Sequence, residues 1–285
     1  MRINMKKWNL IIDIEKCENC NNCLLACKDE FVDNEFRGYS ALQPKHGHQW
    51  IAIQKKERGK YPLIDISYLP APCFHCDDAP CIKAAKDGSI YKRDDGVVII
   101  DPDKAKGNPD LVKSCPYGAI WWNETEKLAQ KCTLCAHLLD DNWKEPRCVS
   151  VCPTSALRIE KVDDARMQHL VKEEELKHYK ANQNTKPRVY YKNLHRFTHC
   201  FIGGSVAATK GEVTDCVENA NVILQKSSGD SITETKTDIF GDFKFDHIET
   251  NSGSYIIQIN HPEYEDKAVT VELTESVNVG VISLT

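Results

Sequence analysis

Between Cys17 and Cys152 the chain places twelve of its fourteen cysteines, and their spacing restricts the fold more than any apolar pattern does. The first group reads CENCNNCLLAC, with Cys17, Cys20, Cys23 and Cys27 spaced C-x2-C-x2-C-x3-C. The second, CFHCDDAPC, supplies Cys73, Cys76 and Cys81; the third is Cys132 and Cys135 in CTLC, followed by Cys148 and Cys152 in CVSVCP. Cys115, in CPYGA, completes the twelve. Disulfides need an oxidising compartment and a secretory route to it, and the sequence displays no such route. Zinc sites use paired C-x2-C knuckles, but not the compact four-cysteine run or the Cys-Pro steps at 115–116 and 152–153. Iron–sulfur cubanes suit all of these features. In the run C-x2-C-x2-C-x3-C-P, three thiolates of one loop hold one cluster and the fourth reaches across to another.

Cys115-Pro116 has the form of the end of such a motif whose beginning is gone. Counting back by four, seven and ten residues gives Leu111, Asn108 and Ala105, and the second group ends at Ala85 where a fourth cysteine is expected. If four motifs exchange their last ligands in pairs, first with fourth and second with third, then positions 85, 105, 108 and 111 serve one cluster. All four ligands of that cluster are replaced, and no others. The remaining twelve thiols make three [4Fe–4S] sites. By the exchange rule the first set is Cys17, Cys20, Cys23 and Cys152; the second is Cys27, Cys132, Cys135 and Cys148; the third is Cys73, Cys76, Cys81 and Cys115.

The rest of the chain divides in two by charge. From Phe197 onward it carries five lysines, no arginine and fourteen acidic residues, a net of −9, whereas the first 196 residues carry a net of +4. A hydrophobic fraction of 41% and a charged fraction of 28% fit a water-soluble chain. No apolar run approaches the ~20 residues of a membrane span. The N-terminal stretch has the pattern of neither a signal peptide nor an anchor, so a cytoplasmic location is expected. No phosphate loop, Ser/His/Asp arrangement or basic-aromatic stripe marks a catalytic or nucleic-acid-binding site in this chain.

Short elements should pin the ligand loops. Ile90–Asp101 (IYKRDDGVVIID) reads as two strands around an Asp-Gly turn, Ala119–Cys132 as a second hairpin, and ALRIEKV as a further strand. Together these describe a double ferredoxin-like, α+β domain over residues 1–160. Residues 161–181 place Val162, Ala165, Leu170, Val171 and Leu176 at helical spacing, and NQNTKPRVYYKNL reads as an extended connector to residue 196. Arg188, Tyr190 and Tyr191 in it are candidates for packing on a partner or for tethering the domains. From Phe197 the period is two, in runs such as NVILQK, FGDFKFDHI and SYIIQIN, which predicts an all-β sandwich or barrel of about seven strands. Cys200 and Cys216 in this part read as buried hydrophobic thiols. His46 and His48 lack companion ligands and read as loop or interface residues. Trp121 and Trp122 are expected to shield a cluster from water.

Motif order and flanking residues over roughly residues 8–160 resemble the four-cluster iron–sulfur subunits of molybdopterin oxidoreductases of the dimethyl sulfoxide reductase family. The erased fourth cluster is the departure. KERGKYP, CPYGAIWWNE, QKCTLCAHLLDD and TKPRVYYKNLHRF are similar, more narrowly, to the small subunits of transhydroxylases that act on pyrogallol and phloroglucinol. That resemblance implies three cubanes and a C-terminal β domain. It also implies a large partner subunit carrying a bis-pterin cofactor with molybdenum or tungsten, where the active site and the polyhydroxylated aromatic substrate reside. It puts the first set nearest the partner's metal and leaves this chain an electron-transfer subunit with no catalytic residue. TDIFGDFKF (Thr237–Phe245) resembles a signature of transthyretin-like or collagen-adhesin B-type domains, which implies the fold and leaves docking to a partner, a stabilising role and sugar or cell-surface binding open. Two rival readings stay open: the same subunit in a net reductase or hydroxylase such as a catechol dehydroxylase, and a free-standing polyferredoxin.

Three cubanes require about twelve irons and twelve sulfides per chain. Metal and sulfide analysis of anaerobically purified protein checks this; eight or sixteen irons, or stoichiometric zinc, overturns the cysteine assignment.

Overall fold

Strand β1 (Lys7–Asp13) buries five consecutive residues, Trp8–Ile12, which demands cover on both faces. In the computed structural model, which describes residues 5–85, 87–227, 229 and 231–285, it is the middle strand of a three-stranded sheet. The first four residues of the N-terminal stretch lie outside the described residues. The chain forms two compact units. One holds the residues up to Lys55 and Tyr68–Leu194; the other holds Lys56–Ser67 and His195–Thr285.

In the first unit β1 is followed by α1 (Asn22–Phe31), by the hairpin of β2 (Ile51–Lys60) and β3 (Leu63–Pro72), and by the short helix α2 (Pro80–Ala84). Two small hairpins come next, β4 (Ile90–Lys92) with β5 (Val98–Ile100) and β6 (Trp121–Asn123) with β7 (Leu128–Gln130), as the Asp-Gly turn and the apolar alternation anticipate. Then follow α3 (Ala136–Asp140), α4 (Arg147–Ser150), β8 (Leu157–Val162), α5 (Asp164–Glu173) and β9 (Val189–Lys192). Strand β8 pairs antiparallel to β1, with Leu10 opposite Ile159 and Ile12 opposite Leu157.

Strand β9 comes from the stretch read as an extended connector. It joins the same sheet, parallel to β1, with Leu10 opposite Val189 and Ile12 opposite Tyr191. A parallel partner arrives through a long crossover, so local sequence carries no trace of the pairing. The helix read over 161–181 is shorter than its pattern. Val162 belongs to β8; Asp163 caps α5 by accepting from the Arg166 N–H at 2.8 Å. Glu175, at φ 54°, turns the chain away after Glu173. Met167, Leu170 and Leu176 then pack on Ile11 and Tyr190.

The second unit begins with α6 (His195–Thr198) and continues as β10 (Cys200–Lys210), β11 (Val213–Cys216), β12 (Asn221–Lys226), β13 (Ser231–Lys236), β14 (Asp242–Ile248), β15 (Gly253–His261), β16 (Tyr264–Leu273) and β17 (Val277–Leu284). Among the described residues these make two four-stranded sheets, eight strands where about seven are expected. The strands that escape the period-two reading are β11, whose four residues are all exposed, and β13, at the edge of the other sheet. A strand with no buried face has no alternation to betray it. In the first sheet β14 pairs with residues 200–205 of β10 and β17 with 202–208; overlapping partners take opposite edges of a strand. The second sheet runs β13-β12-β15-β16. Val206, Phe243, Phe245 and Ile282 of one sheet share a core with Val222, Leu224, Ile257 and Ile259 of the other.

The outer part of the β2–β3 hairpin belongs to this second unit. Gly59, at φ +83°, has no room for a Cβ between the Leu63 carbonyl and the Phe201 ring; Gly203 likewise abuts the Leu63 side chain. Arg58, 4% exposed, donates to Asp65 at 2.8 Å from Nε and to both oxygens of Asp246 at 2.7 and 2.9 Å. Burial pushes the carboxyls of Asp65 and Asp246 up, but the arginine hydrogen bonds outweigh it and hold both below the usual carboxylate range. Replacing Arg58 by Met leaves Asp65 with Arg196 alone, at 2.6 Å, and Asp246 with Lys244 at 3.3 Å, and is expected to cost up to about 3 kcal/mol of stability. The parent chain loses the same contribution in acid. The depressed pKa values mean the stabilisation is full above the ordinary aspartate value, about 4, and disappears as pH falls through the folded-state values. Denaturant unfolding of Arg58→Met and parent between pH 7 and pH 3 checks both; a gap between them that does not narrow in acid refutes the account.

Candidate iron–sulfur centres

The β1–β8 pairing explains why residues 135 positions apart can share a site. The Asp13 N–H bonds the Ala156 carbonyl at 2.8 Å, so the loop leaving β1 at Cys17 meets the turn entering β8 from Cys152. Helix α1 carries Cys23 and Cys27 and packs against α4, which carries Cys148. The third group of ligands hangs from the end of β3 at Cys73, from α2 at Cys81 and from the turn after a 3-10 segment, Pro109–Ser114, at Cys115.

Three of the four C-x2-C loops are bent by the same device. Asn19, His75 and Leu134, each two residues after the leading cysteine, have φ of 57°, 44° and 55°. The turn aims their backbone N–H groups at sulfur: His75 N–H reaches Cys73 Sγ at 3.5 Å and Leu134 N–H reaches Cys132 Sγ at 3.3 Å. Asparagine tolerates the left-handed region; His and Leu occupy it at a cost of order 1–3 kcal/mol, which persists only where the surroundings impose it. The two Cys-Pro turns are alike as well. Gly118 and Ser155, each three residues after its cysteine, have φ of 67° and 52° and bond back to the Cys115 and Cys152 carbonyls at 3.1 and 3.2 Å.

Electrostatic coupling sorts the thiols. Burial raises Cys17 and pushes Cys23 up to about 11, and the thiolates of Cys152 and Cys20 add to both shifts. Burial lifts Cys27 and Cys148 well above their ordinary value, reinforced by Cys132 and Cys135. Burial pushes Cys76 up to about 12 and Cys81 to about 11, with Cys73 and Cys115 as the repelling neighbours. Cys17, Cys20, Cys23 and Cys152 act on one another, as do Cys27, Cys132, Cys135 and Cys148, and Cys73, Cys76, Cys81 and Cys115. The second set adjoins both others: Cys23 acts on Cys27 and Cys148, while Cys132 feels Cys73 and accepts its backbone N–H.

Cys73, Cys76, Cys81 and Cys115 line one cavity, closed by Phe74, Val98, Pro116, Tyr117 and Ile120. Trp121 and Trp122 do not line it; both are half-buried in β6, and Trp121 lies against the His48 ring. Among the described residues no three Cys, His, Asp or Glu side chains are gathered to hold a single metal ion. A cubane does not ask for that, since each thiolate meets a different iron at a different corner. Three buried thiols and the half-buried Cys115, around a cavity that is apolar apart from Lys131, fit a [4Fe–4S] cluster. Ligation requires thiolates, which the cluster's iron charge stabilises where solvent cannot.

Supporting residues came from segments that motif reading passes over. Thr185, 2% exposed, shares a 2.7 Å hydrogen bond with Tyr117 Oη and bonds the Cys76 sulfur. Arg188 is buried within this unit, not offered to a partner: Nε donates to Asp77 at 2.7 Å, and the other nitrogens to Asn9 and Asp164 at 3.1 and 2.8 Å. Tyr191 is also fully buried and donates to the Pro70 carbonyl at 2.9 Å. No motif announces these contacts, because they join the loop at 73–78 to a strand more than a hundred residues later.

At the erased site, Ala85, Ala105 and Leu111 are 5%, 0% and 2% exposed, and α2 packs against the 3-10 segment that carries Leu111. Apolar side chains occupy these interior positions. Cys200 sits in the β core, but Cys216 corrects the expectation of two buried thiols: it lies exposed on edge strand β11. His46 is exposed, whereas His48 is buried with Nε2 at 2.9 Å from the Trp122 carbonyl.

Residues 64–162 match the family model of the 4Fe-4S dicluster domain. The pyrogallol hydroxytransferase small subunit of Pelobacter acidigallici is 43% identical over 283 residues, 98% of this chain and 100% of that one. This protein belongs to that small-subunit family. It is an iron–sulfur protein that binds [4Fe–4S] clusters. Among related subunits, the iron–sulfur subunit of the arsenate respiratory reductase of a Shewanella species is 28% identical over 65% of this chain and 95% of that one. The major pilin subunit of Bacillus cereus overlaps 34% of this chain and 31% of its own at 14% identity and a TM-score of 0.25, too low to argue from. No described helix of the small subunit is long and apolar enough to cross a membrane.

Removing one ligand tests the sorting. Cys81→Ala is expected to lower the iron content by about four atoms, leaving the other two sets loaded, while Cys216→Ala leaves it unchanged. Iron analysis of the purified variants reads both; loss of all iron from Cys81→Ala, or of any from Cys216→Ala, contradicts the assignment.

Proposed function

We propose that this chain is the electron-transfer subunit of a two-subunit molybdopterin enzyme acting on polyhydroxylated aromatics, with hydroxyl transfer from one phenol to another as the reaction. Near-complete similarity to a pyrogallol hydroxytransferase small subunit carries this reading. Three coupled sets of four thiols support a count of three clusters, held by Cys17, Cys20, Cys23 and Cys152, by Cys27, Cys132, Cys135 and Cys148, and by Cys73, Cys76, Cys81 and Cys115. Each cluster, when bound, supplies a one-electron couple.

The chain's residues do the holding. Their N–H groups aim at sulfur, their apolar walls exclude water, and the contacts among the sets keep the sites within short range of one another. The molybdenum or tungsten bis-pterin cofactor and the aromatic substrate belong to the large partner, and the first set faces it. Exposed Cys20 and Leu25, 62% exposed, support that orientation. The C-terminal unit is a transthyretin-like or adhesin-type sandwich that serves docking or stability, and the complex works in the cytoplasm.

The test is turnover by the anaerobically purified complex with no added electron donor. Pyrogallol together with a second hydroxylated benzene should give phloroglucinol at a sustained rate. Turnover only with an external reductant, with net loss of a hydroxyl group, replaces transhydroxylation by reduction. A chain that purifies loaded and active as a carrier, without a large partner, refutes the subunit assignment.

A further inference from the structure

Lys131 is 2% exposed, and among the described residues no carboxylate pairs with it. Its Nζ donates to the Val98 carbonyl at 2.5 Å and to the Cys132 carbonyl at 3.0 Å. Two of its three protons are thereby used on neutral acceptors, and nothing nearby cancels the charge. The side chain lines the cavity of Cys73, Cys76, Cys81 and Cys115. It also directly precedes Cys132 of the second set. Its charge is felt in both places, lowering Cys81 and Cys115 on one side and Cys132 on the other against the larger upward push of burial.

Lys92 makes the contrast. It also bonds backbone carbonyls of the loop, His75 and Cys76 at 3.0 Å each, but Asp77, shared with Arg188, lies 2.9 Å from its Nζ. An unpaired buried ammonium is costly; beside thiolate-ligated iron it finds compensating negative charge only when a cluster is present. Positions 85, 105, 108 and 111, where a further cluster's ligands would stand, are Ala, Ala, Asn and Leu. With no thiols there, the third set has no onward acceptor in this chain.

We propose that Lys131 makes the cluster of Cys73, Cys76, Cys81 and Cys115 the electron-holding end of the relay, by placing a fixed positive charge against its cavity. A nearby cation stabilises the more negative, reduced form, and in a water-poor interior the effect is strong. This rests on the three-cluster reading above and extends it: electrons entering from the partner settle at the far end, where the chain offers no further site. An enzyme whose reaction has no net electron demand needs a store of that kind and not an outlet.

The experiment is a redox titration of the intact complex followed by electron paramagnetic resonance, comparing parent, Lys131→Gln and Lys131→Arg. Glutamine keeps hydrogen-bond donors and removes the charge; arginine keeps the charge. In the parent, one cluster reduces at a higher potential than the others. Lys131→Gln should lower its reduced-to-oxidised ratio at fixed potential about tenfold, equivalent to about 59 mV for one electron, with a smaller change in a second cluster and none in the third. Lys131→Arg should keep the parent potential. Unchanged potentials in Lys131→Gln with full iron overturn the proposal, as does an equal shift in both variants. Loss of iron from both assigns Lys131 to assembly and overturns it too. The iron count and potentials do not depend on which aromatic reaction the partner performs, so failure here leaves the transhydroxylase reading standing. A parent with fewer than three clusters fails that reading separately.

Discussion

Buried thiols crowded in fours are the constraint around which the first unit is organised. Burial raises the pKa of Cys23, Cys27, Cys76, Cys81, Cys135 and Cys148, and each would repel its neighbours once ionised. Only a positively charged iron core relieves both penalties together, because it supplies the counter-charge that desolvation removes. The local backbone serves that end. Left-handed residues at Asn19, His75 and Leu134 curl the loops so that amides face sulfur. Strain of that kind is stable only when neighbouring elements leave no alternative, and here β1, β8, the two hairpins and β9 enclose the loops.

The second unit obeys a different rule. Its two sheets bury alternating side chains in one core and need no metal to do so. Its most demanding contacts are at the β2–β3 hairpin, where Gly59 and Gly203 permit close approach and Arg58 sits between two aspartates. A buried arginine is tolerable there because bidentate bonds satisfy it. Polar interactions thus govern both units, in one as metal ligation and in the other as ion pairing.

Positions 85, 105, 108 and 111 carry no thiol, and Ala85, Ala105 and Leu111 are buried. These three fill their interior positions with apolar side chains, and Lys131 lines the cavity of Cys73, Cys76, Cys81 and Cys115.

Cysteine spacing by itself pointed to [4Fe–4S] binding, because a cubane's ligands must come from short loops with little freedom in their separation. Alternating apolar residues likewise announced the strands with a buried face. Tertiary structure alone decided that the segment after α5 becomes a parallel strand beside β1, and that Thr185 and Arg188 brace the third set. It also decided that residues 56–67 join the second unit, that Cys216 faces solvent and that Lys131 has no acid beside it. Those facts depend on which distant segments meet. Neither periodicity nor spacing encodes that, since each describes a residue's relation to its own neighbours along the chain.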